Sequence, residues 1–267
     1  MLFRSMPTLR PGSLRRYAVG AASIGVTALL WQWAVTGPLA DKPFATVPEI
    51  LGRLRDFAGD PLFWSSLGET FRVAAIGLVI SVVLGVAAGL LVGQSDLAYR
   101  STRVLVEFLK PIPPIVILPL LVLVLGPTGD MGIFLVAFGG VFPLITQTAH
   151  GVHDVDPVAA ETARSFRLTR WQRIRTLVAP TALPFVATGV RISASAALVI
   201  ALVSEIIGGA PGLGKDLVLA QTTGDYPAIY ALVVTFGVLG VLINAVLAAV
   251  ERRALFWHSS VRSEVTA

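Results

Sequence analysis

The stretch of residues 156–184 carries the densest set of side chains that could bind another molecule through charge. It contains five arginines and one glutamate, Glu161, between two long apolar runs. Carboxylate and guanidinium groups form charge-assisted hydrogen bonds, which are about twice as strong as neutral ones. The arginines are Arg164, Arg167, Arg170, Arg173 and Arg175. This basic stretch therefore indicates a polar docking surface, and the alternative is a loop that only fixes topology.

Capping signals divide the basic stretch into two predicted helices. Asp156 followed by proline is typical of a helix start. Thr169 and Gln172 have the spacing of a capping box, which predicts a second short helix from that point. Pro180 and Pro184 then interrupt the path into the next apolar run. The residue order predicts two short helices joined by a turn.

A second candidate site is the glycine-rich segment 209–216, GAPGLGKD, which nearly matches a phosphate-binding P-loop. A P-loop needs Ser or Thr after its lysine to bind magnesium, and a strand before it. Here Asp216 follows Lys215, and an apolar run precedes the segment. We expect an external turn that contacts a delivery protein. Any ATP hydrolysis then belongs to a separate chain.

Catalytic and metal-binding patterns are missing from the sequence. The chain has no cysteine and only three scattered histidines, which argues against disulfides and metal sites. The apolar runs hold no His/Glu pair, Ser/Lys dyad or paired aspartates. We therefore expect neither an enzyme nor a cofactor bound by this chain.

The elements that must position these residues are membrane spans. Hydrophobic residues make up 55% of the chain and charged residues 14%, against about 25% charged in a soluble domain. Because most of the chain is apolar, its net charge of +5 does not indicate nucleic-acid binding. The composition predicts an all-α polytopic protein with six spans. They cover about 17–37, 69–93, 104–126, 131–149, 185–208 and 227–250, between tails 1–16 and 251–267.

The segments between the spans are predicted to be loops or short helices. Residues 94–103 and 209–226 are predicted to be polar loops. Thr46 and Glu49 predict the start of a short amphipathic helix before the second span.

The second span contains Gly85, Gly89 and Gly93 at intervals of four, a ridge that permits close helix contact. Such a ridge packs either inside one subunit or at the interface of a dimer.

The third apolar run is the strongest candidate for a transport pathway. It contains Pro111, Pro113, Pro114 and Pro119, and four prolines in nine residues cannot form a regular helix. Irregular backbone at membrane depth is tolerated only where protein or a water-filled cavity covers it. A broken helix that lines a pathway is one interpretation, and a kinked helix that starts after Pro114 is the other.

Polar residues in the later runs are further pathway candidates, because ionisable and polar groups in spans are costly and are commonly functional. Gln147, Ser195 and Glu205 are the three that we single out. For Glu205 the alternative is a structural ion pair with Lys215. Two further pairs at i,i+3 spacing are predicted to be structural. They are Glu69 with Arg72, and Glu107 with Lys110.

Charge asymmetry predicts the orientation. With the amino terminus inside, the inner segments carry 14 of the 21 lysines and arginines and the outer segments carry four. Positive charges are retained on the cytoplasmic side of membrane proteins. Both termini and the basic stretch are therefore expected inside, and residues 40–66, which include Lys42, and residues 209–226 are expected outside.

The basic stretch resembles the cytoplasmic docking loop of ABC importer permeases. That loop follows the pattern Glu-Ala-Ala, three residues, Gly, nine residues, Ile-x-Leu-Pro. The matching residues are Glu161, Ala163 and Pro180, with Leu177 as a conservative match, and the departures are Thr162, Arg167 and Ala179. Arg167 replaces the glycine of the turn, which an arginine can occupy only without a positive φ or at a cost.

The resemblance extends over residues 44–257 and is similar to the nitrate, sulfonate and taurine branch. It rests further on SEIIGGAPGLG at 204–214, Asp225-Tyr-Pro and Glu251-Arg-Arg. It implies a type I importer permease, commonly a homodimer in the bacterial cytoplasmic (inner) membrane. Two ATP-binding subunits that hold ATP and magnesium, and an external solute-binding protein, would be its partners. The coupling residues that it implies are Glu161, Thr162, Ala163, Arg164, Arg167 and Arg170.

A stand-alone secondary transporter or channel is the alternative function. It accounts for the proline-broken run but leaves the basic stretch unexplained. The substrate stays open among sulfonate, nitrate, taurine and heterocycles, because the external protein does most of the selection in such systems.

Overall fold

The computed structural model describes residues 11–255, with the side chains of residues 11–17, 96 and 103 left out. Every regular element in this range is helical, which confirms the predicted all-α class. The helices are α1 (Pro11–Thr36), α2 (Val47–Gly59), α3 (Pro61–Gly93), α4 (Asp96–Leu109), α5 (Pro114–Leu125), α6 (Gly129–His153), α7 (Pro157–Ser165), α8 (Arg170–Arg173), α9 (Ala179–Ile206), α10 (Leu213–Thr223) and α11 (Tyr226–Ala254), with a π-helical turn at Ile174–Val178. Residues 1–10 and 256–267 of the predicted tails lie outside the described range.

The number of membrane-length helices agrees with a six-span protein. Within residues 11–255, five helical segments are long and apolar enough to cross a bilayer, and the bent pair α4–α5 makes a sixth if it forms one span. The five are Ala18–Thr36, Pro61–Gly93, Gly129–His153, Arg170–Ile206 and Tyr226–Ala254. The membrane boundaries themselves stay a prediction.

One helix begins earlier than expected, and two helices occupy segments that were expected to be loops. Helix α3 begins at Pro61 rather than at residue 69, because Asp60 caps it by accepting the backbone N–H of Leu62 at 2.9 Å. Helix α4 occupies most of the segment 94–103 that we expected to be a polar turn, with Ser95 as its cap. Helix α10 lies within the expected loop 209–226. Both segments were mistaken for loops because their polar residues were weighed above the helical spacing of their apolar ones.

Residues 11–59 and the segment Ala220–Val233 form one compact unit. The indole of Trp31 donates a hydrogen bond to the carbonyl of Ala45 at 3.0 Å, and its ring packs against Tyr230 with 5.4 Å between centroids. Helix α2 starts as predicted. The backbone N–H of Thr46 donates to the Glu49 carboxylate at 2.8 Å, and this bond lowers the pKa of Glu49.

The second unit consists of Asp60–Leu219 and residues 234–255, and its core is made by α3, α6 and α9. Small residues on α3 let its backbone approach α6 closely. A Cβ atom added to any of four glycines would lie 2.5–2.6 Å from a side chain of α6. The pairs are Gly77 with Val136, Gly85 with Leu144, Gly89 with Thr148, and Gly93 with Val152. The glycine ridge therefore packs inside one subunit.

Candidate functional site

The basic stretch begins with the predicted helix. Asp156 accepts the backbone N–H of Val158 at 2.8 Å, and a proline fills the first turn of α7. The helix ends where the related loops carry glycine. Arg167 has φ of 52° and is the one non-glycine residue with positive φ in the described range.

The turn at Arg167 is a Schellman motif. The backbone N–H of Leu168 donates to the carbonyl of Ala163 at 3.0 Å, and that of Arg167 donates to Arg164 at 2.9 Å. These are the 6→1 and 5→2 bonds that close a helix through a left-handed residue. The departure from glycine thus leaves the bend of the loop intact. An L side chain in this conformation costs of order 1–3 kcal/mol.

The second predicted helix is confirmed at its start and is wrong in its length. Thr169 and Gln172 form the capping box, with 2.8 Å between the Thr169 nitrogen and Gln172 Oε1. The helix does not stop before the apolar run. The N–H of Ala179 donates to Ile174, five residues back, and this wider π-helical turn carries the chain past Pro180 into α9.

Most of the proposed coupling residues are exposed. Glu161, Thr162, Arg164, Arg167 and Arg170 all lie at the surface. Ala163 is different, because it is only 7% exposed and is buried by its own chain. Its side chain therefore packs within this chain, and its contact with a partner stays a prediction.

Three large apolar side chains share the surface of the basic stretch. Val158 is 69% exposed, Phe166 is 77% exposed and Trp171 is 70% exposed. Our residue-type reasoning missed them because it followed charge. An aromatic residue in a charged segment, with no apolar periodicity around it, was the signal that could have found them.

The third apolar run consists of two helices, so the break agrees with one of the two interpretations and the start of α5 at Pro114 agrees with the other. The role of the break in a pathway stays a prediction. Helices α4 and α5 meet at 80°. Lys110 caps the end of α4, and α5 begins at Pro114 with Pro113 as its N-cap. Pro111 lies in the connecting turn, where the N–H of Ile112 donates to Leu109 at 3.0 Å.

Two cavities follow each other along α6 beside this break. A polar cavity of about 250 Å³ is lined by Tyr99, Glu107, Lys110 and His150, among others. A more apolar cavity of about 360 Å³ is lined by Lys110 and Pro114 together with residues of α6 and α9. Pro114, one of the predicted pathway residues, therefore lines the second of these two cavities.

The other pathway candidates are dispersed. Gln147 is half-buried and packs against Gly189 of α9. The hydroxyl of Ser195 donates to the carbonyl of Arg191 at 2.9 Å, and Ser195 lines a separate cavity of about 350 Å³ with Asn244. The three candidates on α6 and α9 do not form one site.

Glu205 does not pair with Lys215, so the predicted ion pair is wrong. The carboxylate is 1% exposed, and Oε2 accepts the hydroxyl of Thr70 at 3.0 Å and the backbone N–H of Gly214 at 2.8 Å. Gly212 lies directly against the carboxyl group with φ of 145°. Glu205 therefore fixes the glycine-rich segment from inside and does not face an open pathway.

This contact also explains why the segment 209–216 is not a P-loop. In a P-loop the backbone N–H groups bind phosphate oxygens. Here the N–H of Gly214 already binds a carboxylate, and a helix instead of a strand precedes the segment. Within residues 11–255, no three His, Asp or Glu side chains are arranged to hold a metal ion.

The remaining charged pairs in apolar segments stabilise helices. Arg72 donates to Glu69 at 2.8 Å, as predicted. Arg191 forms an ion pair with Glu251, which joins α9 to the end of α11. The predicted pair of Glu107 with Lys110 does not form between these two described side chains.

Comparison with known proteins agrees with this architecture. Residues 81–255 match the family described as binding-protein-dependent transport system inner membrane component. A probable ABC transporter permease protein of Brucella abortus (strain 2308) is 30% identical over 195 residues, covering 72% of this chain and 78% of that protein. The nitrate import permease protein NrtB of Leptolyngbya laminosa is 24% identical over 250 residues, covering 91% and 89%. The nitrate permease lies in the branch that the sequence predicted.

The fold is shared with a solved importer. A chain of the MetNI methionine ABC transporter, in an inward-facing conformation, superposes with a TM-score of 0.64 at 19% identity. The match covers 72% of this chain and 96% of that one. Nothing in these similarities favours a stand-alone transporter or channel. The chain belongs to the binding-protein-dependent transport system inner membrane components, and it is a multi-pass permease subunit of an ABC importer and not an enzyme.

Proposed function

We propose that residues 156–178 dock the ATP-binding subunit and couple its ATP hydrolysis to solute import. The observation that carries this proposal is the exposure of Val158, Phe166 and Trp171 among arginines. Exposed apolar side chains rimmed by polar residues are typical of protein–protein interaction sites. Buried aromatic residues and arginines contribute most of the binding energy at such interfaces.

The exposed charges give the docking surface its specificity. Glu161 and Arg164 lie three residues apart on α7, so their side chains share one helix face. The first can accept and the second can donate charge-assisted hydrogen bonds to a partner groove. The left-handed turn at Arg167 supports this role because it sets the direction in which α8 leaves α7.

The orientation and partners of the complex are part of the proposal. Both termini and the basic stretch face the cytoplasm, supported by the 14 to four distribution of lysines and arginines. Two copies of the chain form the permease, each with one ATP-binding subunit that holds ATP and magnesium. An external solute-binding protein delivers the cargo, in keeping with the family description. The broken segment between α4 and α5 lines the path.

We assign the cargo to small anions. The nitrate permease among the relatives supports this assignment, since it spans nearly the whole chain. The pathway candidate Glu205 does not oppose it, because that carboxylate is buried against Gly214 and Thr70 and is withdrawn from the cavities described above.

Two charge-introducing variants test the docking proposal. Phe166→Asp and Trp171→Asp place a carboxylate where an apolar side chain would be desolvated, so co-purification of the ATP-binding subunit should fall at least about tenfold, a cost of ~1.4 kcal/mol. Solute-stimulated ATPase activity of the reconstituted complex should fall in parallel. Phe166→Leu and Trp171→Phe are the matched controls, because they retain apolar area. Normal co-purification and stimulation with both Asp variants, at unchanged permease levels, would refute docking through this surface.

A further inference from the structure

Lys110 is the charged residue at the corner where α4 and α5 meet. Two other cations in apolar segments, Arg72 and Arg191, are paired with Glu69 and Glu251. Within the described part of the chain, by contrast, the ammonium group of Lys110 has no ion pair or hydrogen bond. Lys110 is exposed, and its charge is left to interact with whatever fills the adjoining space.

That space consists of the two cavities beside the break, and Lys110 lines both of them. On α6 the polar cavity is lined by residues such as Thr146 and His150, and the apolar cavity by Phe138 and Phe142. The cavities therefore succeed one another along α6, with Lys110 at their common edge. Glu107 lines the polar cavity only, so Lys110 is the one charged residue among the described residues that line the apolar cavity.

Lipid is a poor occupant for this space. A lysine at the centre of a bilayer costs about 2.5–3.5 kcal/mol on insertion scales. Pro111, Pro113 and Pro114 also lack backbone N–H groups, so the helical i+4 hydrogen bonds to Glu107, Leu109 and Lys110 cannot form. The carbonyl of Leu109 accepts the N–H of Ile112 instead. Irregular backbone of this kind is tolerated where it lines a water-filled cavity.

We propose that Lys110 is a specificity-determining residue of the permease, whose ammonium group draws small anions from one cavity into the other. This inference rests on the proposed anionic cargo. No described residue that lines the apolar cavity carries a negative charge, so the ammonium group raises the local concentration of anions there and lowers that of cations. A lysine suits this role because its ammonium group is a compact point charge, whereas an arginine binds oxyanions through two parallel hydrogen bonds and holds them in one geometry.

The chain contains no cysteine, which allows a direct test. Ala196→Cys places a thiol on the wall of the apolar cavity. The importer in native membrane vesicles is treated with 2-sulfonatoethyl methanethiosulfonate, which is anionic, and with its trimethylammonium analogue, which is cationic. The ratio of their rates cancels any effect of Lys110 on the reactivity of the thiol itself. We expect Lys110→Gln to lower the anionic-to-cationic ratio about tenfold, as removal of a charge near the thiol in a partly desolvated space requires.

Three controls make the outcome decisive. Lys215→Gln, in the same Ala196→Cys chain, removes a lysine that does not line either cavity and should leave the ratio unchanged. Lys110→Arg retains the charge and should retain the ratio. Neutral methyl methanethiosulfonate reports whether water reaches the thiol in each variant. An unchanged ratio in Lys110→Gln, or a thiol that the neutral reagent cannot reach, would overturn the proposal. Labelling needs neither ATP hydrolysis nor a bound solute, so failure of the docking surface would not affect this result.

Discussion

The carboxylate of Glu205 accepts a hydrogen bond from the backbone N–H of Gly214, with 2.8 Å between Oε2 and the nitrogen. The same oxygen accepts the hydroxyl of Thr70, which in turn accepts the N–H of Leu213 at 3.0 Å. One buried carboxylate thus ties α9 to α3 and to the first turn of α10. The glycine-rich segment keeps its shape because of this contact.

Replacement of Glu205 by leucine should destabilise the permease. The N–H of Gly214 would lose its acceptor in a buried position, at a cost of about 1–3 kcal/mol. Glu205→Gln keeps an acceptor oxygen and should be milder. The measurement is the midpoint of thermal unfolding of the purified complex. A leucine variant as stable as the glutamine variant would show that the contact with Gly214 contributes nothing.

The contact between α3 and α6 should be equally sensitive to side-chain size. A Cβ atom on Gly89 would lie 2.5 Å from Cβ of Thr148, so Gly89→Val forces the helices apart. Overpacking of this kind typically costs about 1–3 kcal/mol. Gly68→Val on the same helix is the control, because a Cβ atom there meets nothing within 4 Å. Similar expression and thermal stability of the two variants would contradict close packing at Gly89.

The turn at Arg167 predicts an unusual order of variants. Arg167→Gly removes the strain of a side chain at positive φ and should stabilise the loop by roughly 1 kcal/mol, with transport retained. Arg167→Val adds a β-branched side chain, for which this conformation is a genuine outlier, and should weaken the assembled complex. Solute-stimulated ATPase activity and co-purification of the ATP-binding subunit measure both. Loss of coupling in Arg167→Gly with normal coupling in Arg167→Val would show that tolerance of a positive φ is not what residue 167 contributes.

Local signals in the sequence predicted local structure well. The caps at Thr46, Asp156 and Thr169 each lie within three residues of their partners, so pattern alone located α2, α7 and α8. The partners of Glu205 could not be found in this way, since Thr70 is 135 residues distant in the chain. Predicting them requires the packing of α3 against α9. The same holds for the cavities beside Lys110, whose walls come from five helices, α3, α4, α5, α6 and α9.

The predicted orientation is open to a labelling test on this cysteine-free chain. We expect Arg170→Cys to be protected from a membrane-impermeant thiol reagent in intact cells, and Lys42→Cys to react. The physical reason is the retention of positive charge on the cytoplasmic side. Permeabilised cells, in which both thiols should react, provide the control. Reaction of Arg170→Cys in intact cells would show that the predicted orientation is wrong.

The P-loop-like segment should be dispensable for ATP hydrolysis. The N–H of Gly214 is occupied by Glu205, and Lys215 is followed by Asp216 instead of a magnesium-binding hydroxyl. Lys215→Ala should therefore leave the ATPase activity of the assembled importer within a few fold of the unaltered complex. Crosslinking of a photoreactive ATP analogue to residues 209–216 would show this expectation to be mistaken.

The uninterrupted helical path from Arg170 to Ile206 has a mechanical consequence. At 1.5 Å per residue its 37 residues make a lever roughly 55 Å long. One end carries the proposed docking surface, and the other carries Glu205, which accepts a backbone N–H of α10. A tilt of about 5° imposed at the docking end would displace the far end of a lever of that length by ~5 Å. The π-helical turn at Ile174–Val178 lies near the Arg170 end of this helical path. A small change in helical winding there would produce a larger displacement at the Ile206 end.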